Sequence, residues 1–113
     1  MGWRKRANGH SLPFVADSFV TIMANRRNGT LYTGVTGDLP RRVGQHRAGA
    51  GSTFCARWGC TRLVWYGRFE RIADAIAHEK RVKKWPRAYK LNLIEAQNPD
   101  WRDLWWDLGG WTG

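Results

Sequence analysis

The chain has 113 residues and a formal net charge of +10, from 19 Lys and Arg against 9 Asp and Glu, and it is 42% hydrophobic. This length supports one core and not two, and the charge favours a polyanionic partner, nucleic acid before a membrane surface. No apolar run approaches the roughly 20 residues a spanning helix needs, and the basic start Met1-Gly2-Trp3-Arg4-Lys5-Arg6 is followed by no apolar signal core.

Residues 1–17 mix basic, Gly, His and Pro positions without periodicity and are expected to form a flexible basic arm. The Asn28-Gly29 pair suits the positive φ angles of a tight hairpin, so Phe19 to Ala24 should pair antiparallel with Thr30 to Thr36 and place Tyr32 on a central strand. Asp38 as N-cap and Pro40 in the first turn predict a helix from Leu39 to Arg47. Ala48 to Thr53 has turn chemistry throughout and is expected to be a mobile loop leading to a third strand at Leu63-Val64-Trp65-Tyr66. Glu70 to Trp85 carries a helical pattern with Ile72, Ile76 and Val82 as its apolar seam, and its basic last turns suit the helix dipole. A further helix from Arg87 to Ala96 follows Pro86, then a helical turn opens at Asn98-Pro99-Asp100-Trp101, and a Trp/Gly-rich tail occupies residues 105–113. The fold expected is α+β, a three-stranded antiparallel sheet flanked by helices.

Cys55 and Cys60 are the only cysteines and match no metal or redox spacing, so two reduced, packed thiols in a cytoplasmic protein are expected. Arg42 and His46, four apart on the first predicted helix, share a face beside the Leu39/Val43 stripe and address one ligand at the rim of the core. Glu79 falls on the apolar seam of its helix, where a carboxylate requires a partner: a buried salt bridge to Arg42 or Arg57, or a hard cation such as Mg²⁺. Tyr32 shares its strand face with Gly34, which leaves space beside the phenol, and a phenol among cations is suited to activate water.

The hairpin, Tyr32-Thr33-Gly34, Arg42, His46 and Glu79, in that order, resemble the GIY-YIG nuclease superfamily, and most closely its small stand-alone branch, over about residues 19–104. The resemblance implies phosphodiester cleavage by a metal-dependent endonuclease acting on DNA, including structured or damaged DNA. By it, Tyr32 activates or orients water, Arg42 stabilises the phosphate, His46 assists near the nucleophile and Glu79 holds Mg²⁺ or Mn²⁺. Thr21 stands where the first motif of the family has a tyrosine, and Thr33 where the second has an isoleucine. Arg41, Arg47, Arg57, Lys83 and Lys84 are the candidate nucleic-acid contacts. The alternative is a weakened or non-catalytic nucleic-acid-binding module of the same fold.

Overall fold

A computed structural model of the protein describes residues 17–108, so the expected basic arm at residues 1–16 and the last residues of the tail, 109–113, lie outside the described residues. Strands β1 (Ser18–Ala24), β2 (Leu31–Thr36) and β3 (Arg62–Phe69) form one antiparallel sheet in the order β2-β1-β3. Helices α1 (Leu39–Arg47) and α2 (Thr53–Trp58) precede β3; α3 (Ile72–Lys84), α4 (Arg87–Gln97) and a final 3-10 turn (Leu104–Leu108) follow it. The α+β architecture with a three-stranded sheet is therefore as expected.

The hairpin forms over a six-residue connection, Asn25 to Thr30, and not the expected tight turn: of the Asn28-Gly29 pair only Asn28 takes a positive φ. Asn28 takes φ 57°, and the Asn25 side chain accepts from Thr30 N at 2.9 Å. A Cβ at Gly29 would fall on that same Asn25 oxygen, so the turn closes only with glycine there. Since β3 returns to pair with β1, however, β1 is the central strand and Tyr32 lies on β2, an edge strand of the sheet that the described residues form, not on a central one.

Two clusters fill the two faces of the sheet. On one face, Val20, Ile22 and Ala24 of β1 pack with Val64 and Trp65 of β3, Ala75 and Val82 of α3, Ile94 and Trp101. Val64 and Trp65 are consecutive yet join the same cluster, because the β1–β3 register slips by one residue between Ile22 and Met23. On the other face, Met23 and Leu63 pack with Leu39 and Val43 of α1, Cys55, Cys60 and Leu104; Phe19, Tyr32, Tyr66, Trp105 and Leu108 lie against them. The segment expected to be a tail from residue 105 thus covers this cluster as far as Leu108.

The apolar seam of α3 differs from its sequence reading. Ile72 and Ile76 are exposed, and the buried positions are Ala75, Glu79 and Val82. The helix is rotated so that the small Ala75 meets the sheet, which lets the backbones approach closely. Between the loop expected at Ala48 to Thr53 and β3 the chain forms α2, which was not expected and whose N-cap Ser52 accepts from Cys55 N and whose C-cap Gly59 takes φ 68°. Asn98 ends α4, donating to Val64 O and Arg102 O and accepting from Arg102 N.

Candidate active site

Tyr32 projects from β2 onto the face covered by α1 and α2. Its ring lies 5.6 Å from the His46 imidazole and 5.8 Å, nearly parallel, from Phe54 of α2. The Asp38 side chain caps α1 by accepting from Arg41 N, and Leu39 and Val43 fasten the helix to the sheet. One turn apart, Arg42 and His46 then follow from helical geometry.

His46 is 2% exposed, which makes it an interior group and not one at the rim. Its Nδ1 is buried and has no hydrogen-bond partner among the described residues. Gly51 packs directly over this ring: a Cβ there would overlap Nδ1, Cε1 and Cγ of His46. Burial, and after it the charge of Arg42, hold the imidazole below the ordinary histidine pKa, so the neutral ring is favoured. Arg42 is half-buried, and its Nη1 donates to Gln45 Oε1 at 3.2 Å. β2, α1 and α2 therefore bring Tyr32, Arg42 and His46 together.

Thr21, 2% exposed, pairs with Gly34 in the β1–β2 register and with Tyr66 in the β1–β3 register. Its Oγ1 and the edge of the Tyr32 ring both border the space a Cβ at Gly34 would enter, at 3.6 and 3.3 Å. The hydroxyl of Thr21 thus lies beside Tyr32 on the same face.

Glu79 stands apart from these residues. It is buried on α3, which packs on the opposite face of the sheet, and its ion pair is with Lys83 at 2.8 Å, one turn along the same helix. This replaces the expected bridge to Arg42 or Arg57. Among the described residues no three His, Cys, Asp or Glu side chains cluster as a metal cage. The Glu79 carboxylate is already neutralised by Lys83, so a hard cation completed by water and phosphate oxygens would bind there in place of that ammonium.

The expected nucleic-acid contacts divide. Arg41, Arg57, Lys83 and Lys84 are exposed, with Arg57 over the Trp58 ring at 5.5 Å. Arg47 is committed to structure: it pairs with Asp103 at 2.5 Å and lies over both Trp105 and Trp106. The Asp103 carboxylate also accepts from Leu63 N and Trp105 N, so it ties α1, β3 and the C-terminal turn together. Cys55 and Cys60 are free and buried, and burial, followed by the neighbouring Cys55, pushes the Cys60 thiol up to about 11. Sequence reading passed over Phe54 and Gly51 because their partners are set by how α2 folds back; the Gly-rich Ala48–Ser52 run was the one local signal of a close approach.

A three-stranded sheet presenting a tyrosine at its edge, beside an arginine and histidine from the following helix, defines a compact domain suited to phosphate chemistry. Residues 18–92 match the family model described as the GIY-YIG catalytic domain, and the chain belongs to that endonuclease family. It is 34% identical over 74 residues to a UPF0213 protein of Oceanobacillus iheyensis, covering 66% of this chain and 86% of that one. A UPF0213 protein of Clostridium perfringens is 35% identical over 69 residues, or 61% of this chain and 74% of its own. The solution NMR structure of a UPF0213 protein from Bacillus halodurans shows a TM-score of 0.49 at 29% identity, over 77% of this chain and 92% of that one.

Proposed function

We propose that the protein is a metal-dependent endonuclease that hydrolyses phosphodiester bonds in DNA at the β2 edge of the sheet. The observation that carries this reading is the grouping of Tyr32, Arg42 and a buried His46 on one face of that edge. Tyr32 orients the attacking water through its hydroxyl; as the water oxygen bonds to phosphorus the water's proton passes to solvent, and the departing sugar oxygen takes a proton from solvent. His46, packed against the phenol ring, keeps a proton-accepting nitrogen out of bulk water. Arg42 offsets the charge gathering on the phosphate oxygens as the sugar oxygen leaves, the kind of preplaced electrostatic contribution that is usually the largest in such chemistry. By the family resemblance Glu79 would hold the divalent ion, Mg²⁺ or Mn²⁺, which supplies Lewis-acid polarisation of the phosphate when bound; from α3, on the other face of the sheet from Tyr32, it would do so only by exchanging its Lys83 partner for the metal. Arg41, Arg57 and Lys84 would meet the DNA backbone as exposed cations, and Lys83, now paired with Glu79, would join them when Glu79 takes the metal.

Incubating end-labelled branched, nicked and single-stranded DNA with the protein and Mg²⁺ or Mn²⁺ tests this. Cuts are expected that vanish in Arg42→Ala and Glu79→Ala while circular dichroism stays unchanged. Intact DNA under every metal, with binding equal in both variants, leaves the second reading, a binding module without catalysis. The observation favouring that module is Thr21, whose short hydroxyl replaces a phenol beside Tyr32.

A further inference from the structure

At the end of β2 away from α1, the hairpin turn and the start of α4 enclose an open cleft of about 410 Å³, lined by Arg26, Gly29, Thr30, Leu31, Arg87 and Lys90. Three of these residues are cations and none is an acid. Arg87 Nη2 donates to the carbonyls of Asn28 and Gly29 at 2.8 and 2.6 Å, and Lys90 Nζ donates to Lys83 O at 3.2 Å. Carbonyl partners fix these cationic heads in place and leave their charge unneutralised. Elsewhere the ion pairs of the described residues join Arg47 to Asp103, Arg68 to Asp17, Lys83 to Glu79 and Arg102 to Asp107, so the cations of the cleft have no carboxylate counterpart. A preset cluster of guanidinium and ammonium groups is complementary to phosphate.

The geometry points to this cleft as a second subsite for the sugar-phosphate backbone, holding the nucleic acid on the same edge strand that carries Tyr32 but away from the reacting phosphate. This rests on the nucleic-acid reading above. The test is an affinity titration of the full chain with a labelled 20-nucleotide DNA in Ca²⁺ at several salt concentrations, alongside cleavage in Mg²⁺. Arg26→Ala/Lys90→Ala is expected to weaken binding about tenfold, to reduce the salt slope by about 1 to 2, and to raise KM with kcat unchanged. The control Arg71→Ala/Lys80→Ala removes the same charge from exposed sites on and beside α3 and is expected to weaken binding no more than about twofold. Equal losses in the two variants, or none in the first, overturn the subsite. A wild-type chain that binds but never cuts removes the nuclease reading and leaves the subsite measured by the same titration.

At the centre of the sheet, Thr21 is flanked by Tyr66 across the β1–β3 ladder, and both side chains face α1 and α2 with Tyr32. The Phe19 ring braces Tyr66 edge-on at 6.2 Å, and Tyr66 is half-buried. We infer that Tyr66 supplies from the neighbouring strand the second phenol that Thr21 lacks, its hydroxyl orienting water beside Tyr32. This too rests on the nuclease reading. Tyr66→Phe, which keeps the ring, is expected to lower kcat about tenfold or more with KM and melting unchanged. In a Thr21→Tyr background, where β1 supplies the phenol, the same change is expected to alter kcat less than about threefold. An unchanged kcat in Tyr66→Phe, or equal losses in both backgrounds, overturns the inference while cleavage by the wild type stands; absence of wild-type cleavage overturns the nuclease reading itself.

Discussion

His46 is a titratable ring held in an apolar setting, and its protonation is linked to stability. Burial and the Arg42 charge depress its pKa in the folded chain, so below the ordinary histidine value of about 6.5 the unfolded chain binds a proton that the folded one resists. Stability is therefore full above that value and drains away as pH falls toward the folded pKa. His78, lowered by burial and then by Arg81, adds in the same sense. We expect the thermal midpoint to fall between about pH 7 and about pH 5, and to fall less steeply in His46→Gln; identical slopes in the two proteins would refute the assignment. Gly51→Ala should push the imidazole off its seat, lowering stability by about 1 to 3 kcal/mol and cutting cleavage along with it. Gly49→Ala meets no neighbour, and its left-handed backbone (φ 80°) should cost about 1 kcal/mol with cleavage retained. Parallel urea melts and cleavage assays on the two variants separate these effects.

The rotation of α3 shows which of its side chains carry the packing. Val82→Ala should destabilise by about 2 kcal/mol, because Val82 is fully buried against the sheet. Ile76→Lys should change stability by no more than about 0.5 kcal/mol, because that position faces solvent. Chemical denaturation of the two variants decides between this rotation and the isoleucine seam. α1 was legible residue for residue because its signals are local, Asp38 capping and Pro40 in the first turn. α2 was not, since six residues hold less than two turns of periodicity and its Ser52 cap lies in a Gly/Ala run. The edge position of β2 was equally hidden: it depends on which strand the distant β3 chooses as its partner, and nothing within the hairpin encodes that. Of the candidate site, the Arg42/His46 pair was readable from helical spacing alone, whereas the Glu79–Lys83 pair shows why composition misleads, a cation four residues away satisfying the carboxylate before any distant arginine.

At the scale of the molecule, the C-terminal turn is part of the fold. Trp105 and Leu108 cover the cluster beneath α1, and Trp105 N bonds Asp103, so ending the chain after Leu104 should lower stability by about 3 kcal/mol or more, read from the shift in a denaturation midpoint. A tail that merely docked a partner would leave that midpoint in place. No helix among the described residues is long and apolar enough to cross a membrane. The Asp103 clasp also has a consequence in time. A ribosome delivers Arg47 56 residues before Asp103, so α1 lacks its tie to β3 and the C-terminal turn until that later segment emerges. On a nascent chain Arg42 and His46 would therefore emerge on a helix whose clasp is still open, and that clasp would close only once Asp103 has cleared the ribosome.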